Sequence, residues 1–112
     1  MVIKSTELCW IVVADLKRAV EFYTKTLGLT LVSLAEEFGW AELHGQDGGT
    51  RLGLAAVSQN NPMQPGSNAV MTFVVEDMES AKKEFQAKGL KLVGEVMEVP
   101  GHVKLQDFVN EF

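Results

Sequence analysis

One segment of the sequence occurs twice, and this internal repeat restricts the possible folds more than any other feature of the chain. Residues 12–19 read Val-Val-Ala-Asp-Leu-Lys-Arg-Ala, and residues 74–81 read Val-Val-Glu-Asp-Met-Glu-Ser-Ala. Each copy continues to an aromatic residue and then to a Gly-Leu pair. A solenoid needs at least about three stacked repeats, so two copies do not make one. The repeat therefore predicts two copies of one supersecondary module, with any binding site in a cleft between them.

Composition and charge limit the class of protein. A chain of 112 residues that is 46% hydrophobic forms one domain with a core of its own, without disulfides. The net charge is −5, and the Lys and Arg residues are scattered. Nucleic acids and anionic membranes need clustered positive charge, so we expect neither as a partner. A single cysteine suits a reducing compartment, and no apolar run approaches the roughly 20 residues of a membrane span. These features predict a cytoplasmic protein.

Both copies of the repeat predict a helix that begins at an aspartate and ends at a glycine. Asp15 and Asp77 are positioned to accept hydrogen bonds from the first turn of each helix. Gly28 and Gly89 are typical of the position just past a helix end. The apolar residues of the first helix have helical spacing and form one stripe: Leu16, Ala19, Val20, Tyr23 and Leu27.

The segments between the helices predict strands separated by turns rich in Gly, Asn and Pro. Predicted strands of the first module cover residues 7–13, 29–35, 39–44 and 52–57. Those of the second module cover residues 69–75, 90–98 and 103–108. The predicted organisation is α+β: module one at 1–58, a linker at 59–67 and module two at 68–112. Each module is of the βαβββ type, the second without its last strand, and together they form a curved mixed sheet around a cleft.

The segment from Val13 to Leu29 resembles the first-module signature of the vicinal oxygen chelate superfamily. Its sequence is Val-Ala-Asp-Leu-Lys-Arg-Ala-Val-Glu-Phe-Tyr-Thr-Lys-Thr-Leu-Gly-Leu. This superfamily includes glyoxalase I, bleomycin resistance proteins and extradiol dioxygenases. The stretch from Val99 to Leu105 also resembles the turn and seventh strand of these proteins. The resemblance implies two βαβββ modules whose sheets enclose a cleft for a metal or a ligand, and a chain that commonly dimerises.

Enzymes of this superfamily hold a divalent metal with His, Gln and Glu side chains, and the resemblance fixes where those ligands would lie. The first-strand ligand falls seven residues before the motif aspartate, at Leu8, and its counterpart in module two falls at Val70. The fourth-strand ligand falls near Leu52 to Leu54, and the last one on the strand that the second module lacks. Because apolar side chains cannot bind a metal, we expect no cofactor. The weak alternative ligands are Glu7, His44 and His102.

The same alignment predicts a largely apolar wall for the cleft: Leu8, Trp10, Val12, Trp40, Leu52, Leu54, Val70 and Thr72. Trp10 is either a stacking surface for a ligand or a core residue. Trp40 shares a strand face with Glu42 and His44, which is either the rim of a pocket or a polar outer face. Arg51 is either a contact for an anionic ligand or a solvated residue at the start of a strand.

These observations favour a metal-free protein that binds a small, partly apolar or aromatic molecule in the cleft, since apolar walls with few polar groups are typical of such sites. The first alternative is an enzyme, a metal-dependent lyase or dioxygenase of the glyoxalase type. The second is a dimeric scaffold without a ligand, because an incomplete second module leaves a sheet edge for a partner chain. We also expect the chain to form a homodimer.

Overall fold

The part of the chain that the structure describes contains two α-helices, a π-helical segment, a short 3-10 helix and six strands, and the strands form two sheets. The computed structural model describes residues 2–59, 62–99, 103–109 and 112. The elements are, in chain order, β1 (Leu8–Val13), α1 (Leu16–Glu21), β2 (Thr30–Ala35), β3 (Trp40–Gly45), β4 (Gly48–Ala56), α2 (Met78–Ala87), β5 (Leu92–Val99) and β6 (Val103–Phe108). No helix among the described residues is long and apolar enough to cross a membrane. The cytoplasmic location stays a prediction.

The contacts within the chain divide it into two compact units. The first comprises Met1–Thr72 together with Phe112, and the second comprises Phe73–Glu111. The predicted module boundaries, with a linker at 59–67, remain a prediction, because residues 60 and 61 lie outside the described part of the chain.

The first helix begins and ends where the sequence predicts. The side chain of Asp15 accepts a hydrogen bond from the backbone N–H of Arg18 at 3.1 Å, which satisfies a free donor of the first turn. The chain ends the helix at Gly28, whose φ of 79° favours glycine. Between them the regular α1 passes into a π-helical turn over Phe22–Thr26. The side chains that this helical segment buries are Ala19, Phe22 and Tyr23.

The sheet of the first unit is mixed, with the strand order β1-β4-β3-β2. β1 pairs with β4 in parallel, and the other two pairs are antiparallel. This confirms the predicted α+β class. One face of this sheet, here called the core face, carries the side chains Ile11, Val13, Ala41, Leu43, Leu52 and Leu54, all of them buried. Helix α1 contacts β3 and β4, so this face provides most of the core of the unit.

The outer edge of β1 is covered by a loop rather than by another strand. The side-chain amide of Asn68 donates to the carbonyl oxygen of Trp10 at 2.7 Å and accepts from the backbone N–H of Val12 at 3.1 Å. The backbone N–H of Gly66 donates to the carbonyl oxygen of Val12. Because a carboxamide carries one donor and one acceptor group, Asn68 replaces a peptide group of a missing neighbouring strand. It thereby fixes the backbone on both sides of Ile11.

The second unit contains α2 and a two-stranded antiparallel sheet, β5-β6. Asp77 caps α2 by accepting from the backbone N–H of Glu79, and Ser80 also donates to its carboxylate. The two strands follow the prediction, and an irregularity interrupts the β5–β6 register between Val93 and Met97. There the side-chain amide of Gln106 donates to the carbonyl oxygens of Val93 and Gly94.

The predicted opening strand of module two is not formed, and that prediction is wrong. Residues 69–75 make no ladder with another strand. Their exposure nevertheless alternates as in a strand, and Val70 and Val74 are 91% and 96% exposed. The sequence pattern gives this segment an alternating character, but a strand also requires a hydrogen-bonded partner.

Candidate functional site

The face of the first sheet opposite the core face carries both tryptophans and an Arg–Glu ion pair. Register pairs Trp10 of β1 with Gly53 of β4, and Gly53 with Glu42 of β3. Arg51 lies two residues before Gly53 on β4 and pairs with Leu8. Paired residues share a face and residues two apart return to it, so these side chains project to the same side. The residues Trp10, Trp40, Glu42, Arg51 and Gly53 are here called the tryptophan face.

Gly53 provides the space that the ring of Trp40 occupies on this face. A Cβ atom at Gly53 would lie 2.6 Å from Cη2 and 3.0 Å from Cζ2 of Trp40, and 2.9 Å from Cβ of Trp10. The benzene edge of the Trp40 indole therefore lies directly over the backbone of Gly53, beside Trp10. Any other residue at position 53 would displace this ring. Gly53 is not among the predicted site residues, although a glycine within an apolar strand is a known signal of close approach.

Glu42 fixes the orientation of Trp40 and of Arg51 at the same time. The indole N–H of Trp40 donates to Oε2 of Glu42 at 2.9 Å. Nη1 of Arg51 donates to Oε1 of the same carboxylate at 3.0 Å. These bonds, the one from Trp40 first, hold the pKa of Glu42 below its ordinary value of 4.5, while partial burial opposes the shift. The carboxylate is therefore ionised at neutral pH, with both oxygens engaged.

Acid should release this network below pH 4.5. Because the folded-state pKa of Glu42 is depressed, its stabilising contribution is complete above the ordinary value and is lost as the pH falls through the folded value. We expect the indole N–H resonance of Trp40 in NMR spectra to shift with a midpoint below pH 4.5. Glu42→Gln, which keeps an oxygen acceptor but cannot ionise, should abolish this transition. A midpoint at or above 4.5 in the wild-type protein would contradict the assignment.

The structure corrects the predicted position of two wall residues. Leu52 and Leu54 were expected beside Trp10, but they pair with Cys9 and Ile11 on the core face, where they are 1% and 0% exposed. The prediction placed β4 one residue out of register, and a shift of one residue moves every side chain to the other face. Arg51 and Gly53 occupy the positions that the prediction gave to these leucines.

The other predicted wall residues have different environments. Leu8 is half-buried and Trp10 is exposed on the tryptophan face, and the half-buried Trp40 lies on the same face. Val12 shares this face but is buried. Val70 and Thr72 are exposed, and they lie in the segment that forms no strand. A ligand-binding role for any of these residues stays a prediction.

The weak metal-ligand candidates do not come together. Within the described ranges, no group of three or more His, Cys, Asp or Glu side chains is placed to hold a metal ion. Glu7 is exposed, and Nδ1 of His44 lies 2.7 Å from the carbonyl oxygen of Gly45. His102 lies outside the described residues. The resemblance implies metal ligands at Leu8 and Val70, but these side chains carry no atom that can bind a metal. They do not fit the metal that the superfamily's enzymes hold.

A concave region lies at the start of α2 in the second unit. It is a cleft of about 330 Å³, lined by Val75, Glu76, Asp77, Met78, Glu79 and Lys104. Asp77 is already used as the helix cap, and its hydrogen bond from Ser80 lowers its pKa most strongly. Trp10, Trp40 and Arg51 are not part of this cleft, because they lie on the tryptophan face of the first unit.

The fold defines a class of α+β proteins in which a mixed sheet packs one face against a helix. The family comparison makes the class specific. Residues 3–107 match the model of the Glyoxalase/Bleomycin resistance protein/Dioxygenase superfamily, and the chain belongs to this superfamily. None of the curated proteins matches the sequence.

Solved structures with the same fold come from several bacteria. A superfamily member from Sphaerobacter thermophilus DSM 20745 has a TM-score of 0.84 and 20% identity, covering 99% of this chain and 92% of its own. TnmS3, an antibiotic binding protein from Streptomyces sp. CB03234, has a TM-score of 0.72 and 24% identity, with coverage of 89% and 82%. A glyoxalase/bleomycin resistance protein from the same organism has a TM-score of 0.75 and 22% identity, with coverage of 96% and 92%. At these identities the similarity shows the fold alone.

Proposed function

We propose that this protein binds a small planar aromatic molecule on the tryptophan face of its first unit, without a metal. The observation that carries the proposal is the Trp40 ring lying over Gly53, on the face that also carries Trp10 and the Glu42–Arg51 pair. Aromatic side chains provide a large apolar contact area, and a few fixed polar groups then orient the ligand. Sequestering a ligand in this way requires no catalytic group.

Two further observations support a binding role rather than metal catalysis. The positions at which the resemblance implies metal ligands carry Leu8 and Val70. One structural relative, TnmS3, is described as an antibiotic binding protein. A role of that kind suits a face on which Trp40 is held rigidly by a hydrogen bond to Glu42, because a pre-oriented ring loses little entropy on binding.

NMR titration tests this proposal directly, because Trp10 and Trp40 are the only tryptophans and their two indole N–H resonances both report on the site. We expect neutral 2-naphthamide to shift both resonances saturably, with a Kd of about 0.1–1 mM for so small a probe. Cyclohexanecarboxamide, which lacks a planar ring, should bind much more weakly. Trp10→Phe and Trp40→Phe assign the two resonances.

The same titration after chelation tests the metal-free part of the proposal. We expect the Kd for 2-naphthamide to be unchanged after treatment with EDTA and dialysis. A weaker Kd after chelation, or stoichiometric metal by elemental analysis, would favour the metal-dependent alternative. Failure of 2-naphthamide to shift either indole resonance would overturn the binding role itself.

We also propose that the chain forms a homodimer. Val70 and Val74 are supporting observations, because they are apolar, almost fully exposed, and lie in an extended segment without a ladder. Light scattering in solution would decide between one chain and two.

A further inference from the structure

We propose that the tryptophan face selects aromatic ligands that carry an anionic oxygen, such as a carboxylate, and that Arg51 binds this oxygen. The inference rests on the proposed function, because it names the ligand chemistry of the same site. It goes beyond that function in predicting a charge preference, which stacking on Trp10 and Trp40 does not supply.

The first step of the argument is the donor capacity of Arg51. A guanidinium group has five N–H donors. Among the residues that the structure describes, Glu42 is the only hydrogen-bonding partner of the Arg51 side chain, through Nη1. The side chain of Arg51 is 40% exposed, so its remaining donors are accessible from the tryptophan face. Guanidinium donors form their strongest hydrogen bonds with carboxylates and similar anions.

The second step concerns Glu42, whose negative charge would oppose an anionic ligand. Each oxygen of Glu42 already accepts a hydrogen bond, one from Trp40 and one from Arg51. The side chain is 19% exposed, about half the exposure of Arg51. The pair therefore presents mainly its cationic member to a ligand, while the carboxylate holds the guanidinium in position.

The third step is the spacing between the cation and the stacking surface. Arg51 lies two residues before Gly53 on β4, on the same face, which separates their Cα atoms by about 6–7 Å. This is roughly the length of two fused six-membered rings. A ring system that stacks beside Trp10 and Trp40 would therefore place a substituent at its end within reach of Arg51.

Three probes with the same ring and different charge test the inference: 2-naphthoate, 2-naphthamide and 2-naphthylmethylammonium. We expect NMR titration of the two indole resonances to give the tightest Kd for the naphthoate and the weakest for the ammonium. The difference between these two should be about tenfold, because a charge-assisted hydrogen bond replaces a repulsion. Equal or tighter binding of the ammonium would overturn the inference but leave the proposed function intact. No binding by any probe would overturn both.

Two variants separate direct contact from a structural role of Arg51. Arg51→Gln should weaken naphthoate binding about tenfold and naphthamide binding by less, so that the preference for the anionic probe is lost. Glu42→Gln should strengthen naphthoate binding, because it removes the competing carboxylate but keeps an acceptor for the indole N–H of Trp40. If Arg51 acted only by supporting Glu42 and Trp40, both variants would weaken all three probes alike, and that result would overturn the assignment.

Discussion

Replacing Leu54 with alanine is expected to lower the free energy of unfolding by about 2–5 kcal/mol. Leu54 is fully buried and lies on the core face, between Ile11 of β1 and Ala41 of β3. Truncation removes buried methyl groups and leaves a cavity that the surrounding sheet cannot fill completely. Urea unfolding followed by tryptophan fluorescence measures the change, because Trp10 and Trp40 both belong to the first unit.

Leu34→Ala is the matched control for this experiment. Leu34 is a leucine of the same sheet, on β2, but its side chain is 44% exposed. We expect it to cost less than about 1 kcal/mol. If Leu54 were instead a wall residue facing a ligand, its truncation would cost as little as that of Leu34 and would alter ligand binding. Equal losses for the two variants would contradict the face assignment.

Gly53→Ala is expected to displace the Trp40 ring and to weaken 2-naphthamide binding about tenfold. A tenfold loss corresponds to about 1.4 kcal/mol, near the upper end of what one aromatic pair contributes. The new methyl group would lie 2.6 Å from Cη2 of Trp40 and 2.9 Å from Cβ of Trp10. The Trp40 ring can rotate away, whereas the Trp10 Cβ is fixed to its backbone. We expect a stability loss of about 1–3 kcal/mol from this crowding.

The displacement of Trp40 should be visible in its indole N–H resonance, because the ring leaves its hydrogen bond to Glu42. Gly45→Ala provides a control glycine at the end of β3. A Cβ atom there would meet only the carbonyl oxygen of Gly48, at 3.8 Å, which is an ordinary contact. Gly45→Ala should leave both indole resonances and the Kd unchanged. Unaltered naphthamide binding in Gly53→Ala would exclude these rings as the binding surface.

Local features were predictable because their causes lie within a few residues. Asp15 and Asp77 cap their helices through hydrogen bonds to N–H groups three and two residues away. The alternation that places Trp40 and Glu42 on one face of β3 is a property of a single strand, and their hydrogen bond follows from it.

Features that depend on pairing between distant segments were not predictable in the same way. The segment 51–56 offers two faces, one with Arg51 and Gly53 and one with Leu52 and Leu54. Leucine suits either a protein core or the wall of a ligand cleft, so hydrophobicity alone does not choose between them. The parallel register with β1 makes the choice. Asn68 is another such case, because only the tertiary structure brings its amide to the edge of β1.

The sequence by itself determined the repeated helix with its aspartate and glycine ends, the strands β5 and β6, and the membership of the chain in a superfamily whose signature spans residues 13–29. Tertiary structure alone decided that Arg51 and Gly53, not Leu52 and Leu54, accompany Trp10, and that residues 69–75 form no strand. The physical reason is the same in both cases. Helix caps and alternation are local, whereas the face that a strand presents, and whether it becomes a strand, depend on hydrogen bonds to a partner remote in sequence.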